Sequence, residues 1–247
     1  MSDTNSWFPS PTQLELAEGE VHLWRAYLDC EETVLRRFEA TLAADERERA
    51  QRYFFQHDRD HFVASRGVLR ELLGKYVTRA PDEIEFAYTP QGKPSLRPAG
   101  LTPPIRFNVS HSHGLALFAF AVGRNLGVDV ELVRPDFGGE EIAERYFAPQ
   151  EVEELRIVPA SLQAEAFFLC WTRKEAYVKA RGEGLRIPLD SFHVSLTPGQ
   201  PEQLHSSDSL SWSLHSLRPD PRYVAALVGE GEGWRLRFWD WEPLACV

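Results

Sequence analysis

The sequence has few cysteines, and they are not arranged as a disulfide framework. Its three cysteines, Cys30, Cys170 and Cys246, lie far apart in the chain and form no Cys-x-x-Cys motif. An odd number of widely spaced cysteines is more typical of reduced thiols in a cytoplasm than of paired, disulfide-bonded residues. We therefore expect a cytoplasmic protein.

The sequence also lacks long apolar runs and a recognisable export signal. No window approaches the roughly 18 uninterrupted apolar residues of a membrane-spanning helix. The first residues, Met-Ser-Asp-Thr-Asn-Ser, provide neither the basic nor the apolar region of a signal peptide. Membrane attachment and export are therefore not expected.

Basic residues are in deficit. The chain has 27 Lys and Arg against 37 Asp and Glu, a formal net charge of -10. Because affinity for a phosphate backbone depends on clustered Lys and Arg, this balance argues against general nucleic-acid binding. A polyanionic ligand would need a local basic pocket, and its candidate residues are scattered along the sequence: Arg52, Arg59, His61, Arg66, Lys93 and Lys179.

What the chain does have is enough apolar material for a core and a pattern of elements that occurs twice. With 247 residues, 43% of them hydrophobic, it can form one large domain or two small ones. A polar leader, residues 1–19, is expected to be loosely held. The first half, residues 20–126, shows strand and helix patterns at residues 21–28, 43–55, 59–77, 84–88, 105–110 and 115–122. The second half, residues 127–247, shows them at residues 127–132, 140–147, 149–155, 161–181, 192–196, 211–217, 223–228 and 234–241.

Helices followed by several antiparallel-looking strands, twice over, predict an α+β chain of two similar halves. The halves share no evident sequence identity, so this prediction rests on the order of the elements and on the family resemblance described below. The last strand, residues 234–241, carries three tryptophans. We expect them to pack into the second half, although a partner-binding patch is the alternative.

Two carboxylates occupy one face of the strand Gly127-Val-Asp-Val-Glu-Leu132. Because strand residues alternate between faces, Asp129 and Glu131 point one way, and the apolar residues point the other. Their Cα atoms should lie about 6.5 Å apart, so both side chains can converge on one hard cation. The ordinary alternative is the polar face of a half-exposed strand.

A third carboxylate extends the apolar face of the long helix predicted at residues 161–181. At helical spacing, Phe168 and Trp171 share a face with Glu175 and Lys179. Glu175 can supply a further oxygen ligand, and Lys179 follows one turn later. The ordinary alternative is a surface ion pair at i,i+4, which contributes a few tenths of a kcal/mol.

Three segments together resemble the signature of 4'-phosphopantetheinyl transferases of the broad-specificity, surfactin-synthetase-activator type. They are Phe107-Asn-Val-Ser-His-Ser112, Gly127-Val-Asp-Val-Glu131 and Trp171-Thr-Arg-Lys-Glu-Ala-Tyr-Val-Lys179. The similarity extends over about residues 45 to 195, and Gln91-Gly-Lys-Pro94 stands where the family carries its Gly-Lys-Pro. Order and spacing agree, so the resemblance is specific.

The resemblance implies a pseudo-two-fold fold, in which each half packs a small, mostly antiparallel sheet against a long helix and the active site lies between the halves. The implied enzyme is a transferase that moves 4'-phosphopantetheine from coenzyme A to a serine of an acyl or peptidyl carrier protein, as in fatty-acid, polyketide or nonribosomal peptide synthesis. The implied cofactor is Mg²⁺, with Mn²⁺ as a substitute. A chain that holds both halves is expected to be a monomer, because it can build the site internally.

The resemblance also assigns roles to residues. Asp129, Glu131 and Glu175 would hold the metal, and Glu175 and Lys179 would be the catalytic residues. Whether Glu175 is metal ligand, general base or both remains open at this point. The implied coenzyme A contacts are Arg52, His61, Arg66, Lys93, Ser110, His111 and Lys179.

Other kinds of site are weaker candidates. His111 and His113 stand at i,i+2, where two imidazoles can share a transition metal, but no further Cys or His pair has suitable spacing. Ser110 beside His111 is not expected to form a hydrolase pair, because adjacent strand residues point to opposite faces. Two other functions remain as alternatives: a catalytically silent module that binds carrier proteins or nucleotides, and an Mg²⁺-dependent phosphohydrolase.

Overall fold

A computed structural model describes residues 6–11, 13–97 and 103–243. Cys246 lies outside these residues, and within them Cys30 and Cys170 are free thiols. No helix in the described part of the chain is both long and apolar enough to cross a membrane.

The first half of the chain contains three helices and most of a five-stranded sheet. Its helices are α1 (Glu32–Thr41), α2 (Ala44–Gln51) and α3 (Gln56–Val77), and its strands are β1 (Phe8–Pro9), β2 (Glu20–Tyr27), β3 (Phe86–Tyr88), β4 (Pro94–Leu96), β5 (Ile105–Ser112) and β6 (Leu115–Val122). β3 and β4 form a separate two-stranded ribbon. Helix α3 begins three residues before the predicted start, so His57 and Asp58 belong to its first turn.

The second half repeats this order. Its helices are α4 (Glu140–Tyr146), α5 (Pro149–Ile157) and α6 (Ala160–Arg181), and its strands are β7 (Leu126–Leu132), β8 (His193–Val194), β9 (Leu204–His205), β10 (Trp212–Leu217), β11 (Tyr223–Glu230) and β12 (Arg235–Asp240). Gly182, at φ +71°, ends α6 in the left-handed conformation that favours glycine.

The strand order confirms the predicted repetition. The larger sheet has the order β1-β12-β2-β6-β5, and the smaller sheet has the order β10-β11-β7. In each half the strand before the helices, β2 or β7, pairs antiparallel with β6 or β11, and that strand pairs antiparallel with the one just before it in the chain, β5 or β10. In each half a 22-residue helix, α3 or α6, precedes those two strands. The fold is therefore α+β with two similar halves.

The molecule has four layers, because each sheet buries both of its faces. One face of the five-stranded sheet packs against α3 through residues such as Phe118 and Leu72. Its other face meets the three-stranded sheet in a central core that includes Leu117 and Val130. The far face of the three-stranded sheet packs against α6. β7 therefore turns Val128 and Val130 towards the centre and its carboxylates towards α6, as the alternation predicted.

The last strand, β12, does not join the sheet of the second half, where its aromatic residues were expected to pack. β12 runs parallel to β2 and joins the sheet of the first half. Trp241 is part of the core around α3, Trp239 packs against it, and Trp234 belongs to the central core. The prediction that these tryptophans pack into the second half holds for Trp234, whose ring lies against His215 and Gly229. It was wrong for Trp239 and Trp241, because strand pairing across the whole chain, which periodicity does not reveal, decides where β12 lies.

The leader also makes defined contacts within the described residues. β1 pairs with β12, and the Trp7 ring lies edge-on to Phe238 with 5.2 Å between ring centroids. Leu14 and Leu16 pack against the core between the five-stranded sheet and α3. Residues 6–11 and 13–19 thus extend the sheet and cover its apolar surface.

Candidate active site

The predicted carboxylates and lysine come together where β7 packs against α6. A Cβ on Gly127 would lie 2.2 Å from the carbonyl oxygen of Ala176 and 2.3 Å from the amide nitrogen of Ala180, so only glycine allows this approach. The Nζ of Lys179 is consequently 2.6 Å from Oδ1 of Asp129. The structure thus unites the second and third signature segments.

The first signature segment supplies a row of side chains along the other edge of β7. Asn108, Ser110 and Ser112 alternate along β5, and each accepts a hydrogen bond from a β7 amide, those of Val128, Val130 and Leu132. The shortest joins the Val128 amide to Oδ1 of Asn108 at 2.8 Å. Side chains therefore satisfy the backbone donors where the two sheets meet.

The same serines hold the carboxylates. The Ser110 hydroxyl donates to Oδ1 of Asp129 at 2.8 Å, and the Ser112 hydroxyl donates to Oε2 of Glu131 at 2.7 Å. Asn108 and Ser112 were not predicted as site residues. Their signal was the polar i,i+2 spacing within Asn-Val-Ser-His-Ser, which places all three side chains on one strand face.

The carboxylates repel one another. Burial raises the pKa of Glu175, the Asp129 charge raises it further, and Lys179 opposes the shift. Burial likewise raises the pKa of Glu131, with a hydrogen bond from Ser112 lowering it and Asp129 raising it. A cation would stabilise the charged forms of both side chains.

The residues fit a hard divalent cation. Oδ2 of Asp129 is buried and has no hydrogen-bond partner among the described residues, so a carboxylate oxygen is left for a ligand. Three carboxylates are the donor type that Mg²⁺ prefers. Their donor atoms are not all within 4.8 Å of one another, whereas oxygens on one Mg²⁺ lie at most about 4.2 Å apart. Binding one cation through all three residues therefore requires side-chain movement.

A cluster of positive side chains surrounds His111. Burial lowers the pKa of His111, and four nearby groups lower it further: Lys179, His61, Arg49 and Arg66. Three of these were predicted as coenzyme A contacts, but Arg49 was not. Arg49 lies in the last turn of α2, and Arg52 directly follows this helix. Because the charged helix has only a weak amphipathic pattern, the sequence did not indicate which of the two arginines faces the cluster.

The structure does not bring Arg52 to this cluster. Its side chain is 71% exposed and pairs with Glu48 at 2.8 Å, an i,i+4 ion pair on the surface of α2. Arg66 is more enclosed, with its guanidinium over the Phe62 and Phe86 rings. His61 is buried, and its Nε2 is 2.8 Å from Oδ1 of Asp29.

Lys93 lies on the other side of the junction between β7 and α6. Its Nζ donates to the backbone carbonyls of Leu126 and Lys179. Burial, and then the charges of Arg106 and Lys179, lower its pKa to about 8. It lines a cavity of about 220 Å³ together with Arg106.

A buried ion pair behind Glu175 was also missed. Lys174 and Glu151 are fully buried, with Nζ 2.7 Å from Oε2. Lys174 also donates to the carbonyls of Leu189 and Phe192. These bonds fix α6 at the residue next to Glu175. The sequence showed Glu151 only as an acid in the first turn of a helix.

Comparison with known proteins gives consistent results along the chain. Residues 29–122 match the family model described as 4'-phosphopantetheinyl transferase, N-terminal, and residues 125–228 match that of the 4'-phosphopantetheinyl transferase superfamily. The chain is similar to the 4'-phosphopantetheinyl transferase HetI of Nostoc sp., with 42% identity over 235 residues that cover 95% of this chain and 98% of the relative. It is also similar to the 4'-phosphopantetheinyl transferase Sfp of Bacillus subtilis, with 28% identity over 77% of this chain and 83% of the relative.

A solved structure resembles part of the molecule. It is a holo-(acyl-carrier-protein) synthase from Bacillus anthracis in complex with CoA (3',5'-ADP), with a TM-score of 0.38 and 20% sequence identity. The match covers 43% of this chain and 94% of that chain.

Proposed function

This chain belongs to the 4'-phosphopantetheinyl transferase superfamily, and on that basis we propose that it transfers the 4'-phosphopantetheine group of coenzyme A to a serine of an apo carrier protein. The serine oxygen attacks the β-phosphate of the pyrophosphate. The bond between that phosphorus and the bridging oxygen breaks, and adenosine 3',5'-bisphosphate leaves. The acceptor is an acyl or a peptidyl carrier protein, since both present a serine hydroxyl as the nucleophile.

The observation that carries this proposal is the joint placement of Asp129, Glu131, Glu175 and Lys179 at the packing of β7 against α6. A module that only binds a carrier protein needs no such cluster. The Lys179 ammonium, shared between Asp129 and Ser110, can reach a phosphate oxygen as a point charge.

Asp129, Glu131 and Glu175 would hold Mg²⁺ or Mn²⁺, which supplies charge neutralisation at the pyrophosphate. Glu175 also takes the serine proton, directly or through a water, since it is a carboxylate next to the metal-bound substrate. One carboxylate with two oxygens can serve both as a ligand and as a base.

The coenzyme A pocket would extend from Lys93 across Ser110 and His111 to the cluster of positive side chains that α2 and α3 place around His111. Arg49, Arg66 and His61 supply positive charge or hydrogen-bond donors there, which explains how a protein of net charge -10 can bind a polyanion. Arg52 stays a predicted contact, and Arg49 is the better placed of the two. The scattered thiols favour a cytoplasmic location for this reaction.

The decisive experiment incubates the protein with coenzyme A, Mg²⁺ and an apo carrier protein, and measures the mass of the carrier. We expect a gain of one phosphopantetheine group, and no gain with Asp129→Ala, whose fold is verified by circular dichroism. An unchanged carrier with intact coenzyme A would indicate a binding module, and an unchanged carrier with cleaved coenzyme A a phosphohydrolase. Either result would overturn the proposal.

A further inference from the structure

Three metal-ligating side chains converge at the start of α3, away from the carboxylates of the active site. They are Asp29, in the loop after β2, and His57 and His61 on α3. One donor atom from each lies within 4.8 Å of the other two. Among the described residues, no other group of three His, Cys, Asp or Glu side chains has its donor atoms this close together.

The backbone creates this convergence. The expectation that no further histidine pair has a metal-binding spacing was wrong, because His57 and His61 stand at i,i+4. Their rings lie on the same face of α3, with 3.9 Å between centroids. Asp29 approaches from the facing loop, and its Oδ1 is 2.8 Å from Nε2 of His61. A metal ion bound by all three side chains would hold the β2–α1 loop against the first turns of α3.

The donor set selects a particular class of cation. Two imidazoles and one carboxylate are typical ligands for Zn²⁺ and related borderline metals, whereas Mg²⁺ prefers oxygen ligands alone. Cys30, next to Asp29, is not part of the set, because its Sγ is directed to the carbonyl of Tyr27 at 3.8 Å. We propose that Asp29, His57 and His61 form a Zn²⁺-type metal site that is separate from the three-carboxylate cluster.

Three protein ligands leave one position of a tetrahedral ion open. The space beside His57 and His61 is a cavity of about 320 Å³, which Asp58, His111 and His113 also line. A water or another small ligand can therefore reach the ion from the cavity. Because His61 lies near enough to affect the pKa of His111, the bound ion would sit at the edge of the positive cluster.

The test is calorimetric titration with Zn²⁺ of the untagged, full-length protein after removal of metals by a chelator. Saturating Mg²⁺ is present throughout, so that the carboxylate cluster does not contribute. At about pH 8 we expect one Zn²⁺ per chain. We also expect Zn²⁺ to raise the melting temperature, since a ligand that binds the native state stabilises it.

His57→Ala removes a direct ligand, and Asp29→Asn replaces the charged carboxylate by a neutral amide, a much weaker donor. Each should weaken Zn²⁺ binding at least about tenfold. Both side chains are mostly exposed, at 66% and 78%, so these variants should fold. The control is His205→Ala, which removes an exposed histidine from the other close pair, whose rings are 5.8 Å apart at His193 and His205.

The control variant should bind Zn²⁺ like the wild type. The proposal fails if the wild type binds no Zn²⁺ under these conditions, or if His57→Ala and Asp29→Asn bind it with unchanged affinity. It also fails if His205→Ala loses binding to the same extent, which would indicate adventitious binding to surface histidines.

Discussion

At the scale of single residues, burial shifts the pKa values of the groups that would handle substrate. Lys93 and His111 are both less basic than usual because they are buried among other cations. Glu131 and Glu175 are less acidic than usual because they are buried beside Asp129. A bound polyanion would relieve the repulsion among the positive groups, and its divalent cation would relieve the repulsion among the carboxylates.

Lys93 should make coenzyme A recognition depend on pH. Its pKa of about 8 means that the free protein loses this positive charge as pH rises through that value. We expect kcat/KM for coenzyme A to fall above about pH 8 in the wild type and to fall less in Lys93→Arg, since arginine stays charged. The measurement is kcat/KM from about pH 6.5 to 9.5.

Unfolding does not account for such a fall. Between about pH 8 and the ordinary lysine value of 10.5, the native state has released the Lys93 proton, and the unfolded chain retains it. Since the unfolded state then binds more protons, Lys93 contributes increasing stability as pH rises through this window. Identical pH profiles for wild type and Lys93→Arg would exclude a role for this ammonium in binding.

Glu175→Gln separates the two roles of this residue. As a metal ligand the amide keeps one oxygen, so raising Mg²⁺ should restore part of the transfer rate. Glutamine cannot act as a general base, so the transfer rate should stay about 10²- to 10⁴-fold below that of the wild type at saturating Mg²⁺. We expect partial rescue, measured as transfer rate against Mg²⁺ concentration. A wild-type rate at ordinary Mg²⁺ would leave Glu175 with neither role.

The same variant should be at least as stable as the wild type without divalent cations. The folded-state pKa of Glu175 is raised, so the native state binds this proton more tightly than the unfolded state does. Its contribution is favourable at low pH and is lost as pH rises through the raised value, so at neutral pH the charged side chain destabilises the fold. Urea unfolding at about pH 7 checks this, and a clearly less stable Glu175→Gln would contradict it.

At the scale of elements, the site depends on how closely α6 packs on β7. Contact between Gly127 and the backbone of α6 places Lys179 on Asp129, while the polar side chains of β5 hold the opposite edge of β7. The long helix alone therefore does not form the site. The two elements form it together, at the distance that a residue without a Cβ permits.

Gly127→Ala should push α6 away from β7. We expect a loss of about 1–3 kcal/mol in the free energy of unfolding, as for other overpacked interiors, and a severe loss of transfer activity. Gly138→Ala is the matched control, because a Cβ there meets nothing within 4 Å. Urea unfolding and the carrier-mass assay measure both effects. Equal behaviour of the two variants would show that the close approach is not required.

At the scale of the whole molecule, the two halves share their central core. Residues of β2 and β6 from the first half pack with residues of β7 and β11 from the second. β12 then returns to the sheet of the first half, so neither half is complete without the other. This arrangement favours a single folding unit that builds its site without a partner subunit.

The protein should therefore unfold in one transition and be a monomer. We expect urea unfolding followed by tryptophan fluorescence and by far-ultraviolet circular dichroism to superpose, since a shared core couples the halves. Light scattering after size exclusion should give the chain mass of 28.2 kDa. Two separated transitions would show that the halves fold independently, and a mass two or three times larger would contradict the monomer prediction.

The sequence by itself determined the local features of this protein. Alternation along β7 placed Asp129 and Glu131 on one face, helical spacing aligned Glu175 with Lys179, and the repeated order of elements predicted the two halves. These features depend on periods of two and 3.6 residues, which the chain carries in any environment. The family resemblance followed from the same short segments.

Tertiary structure decided the rest, because the remaining features depend on contacts between distant segments. The partners of β12, the choice of Arg49 over Arg52 beside His111, and the buried pair of Glu151 with Lys174 have no local periodic signal. The convergence of Asp29 with His57 and His61 likewise needs the β2–α1 loop to fold against α3. Such contacts are set by packing and strand pairing over the whole chain, which no single segment encodes.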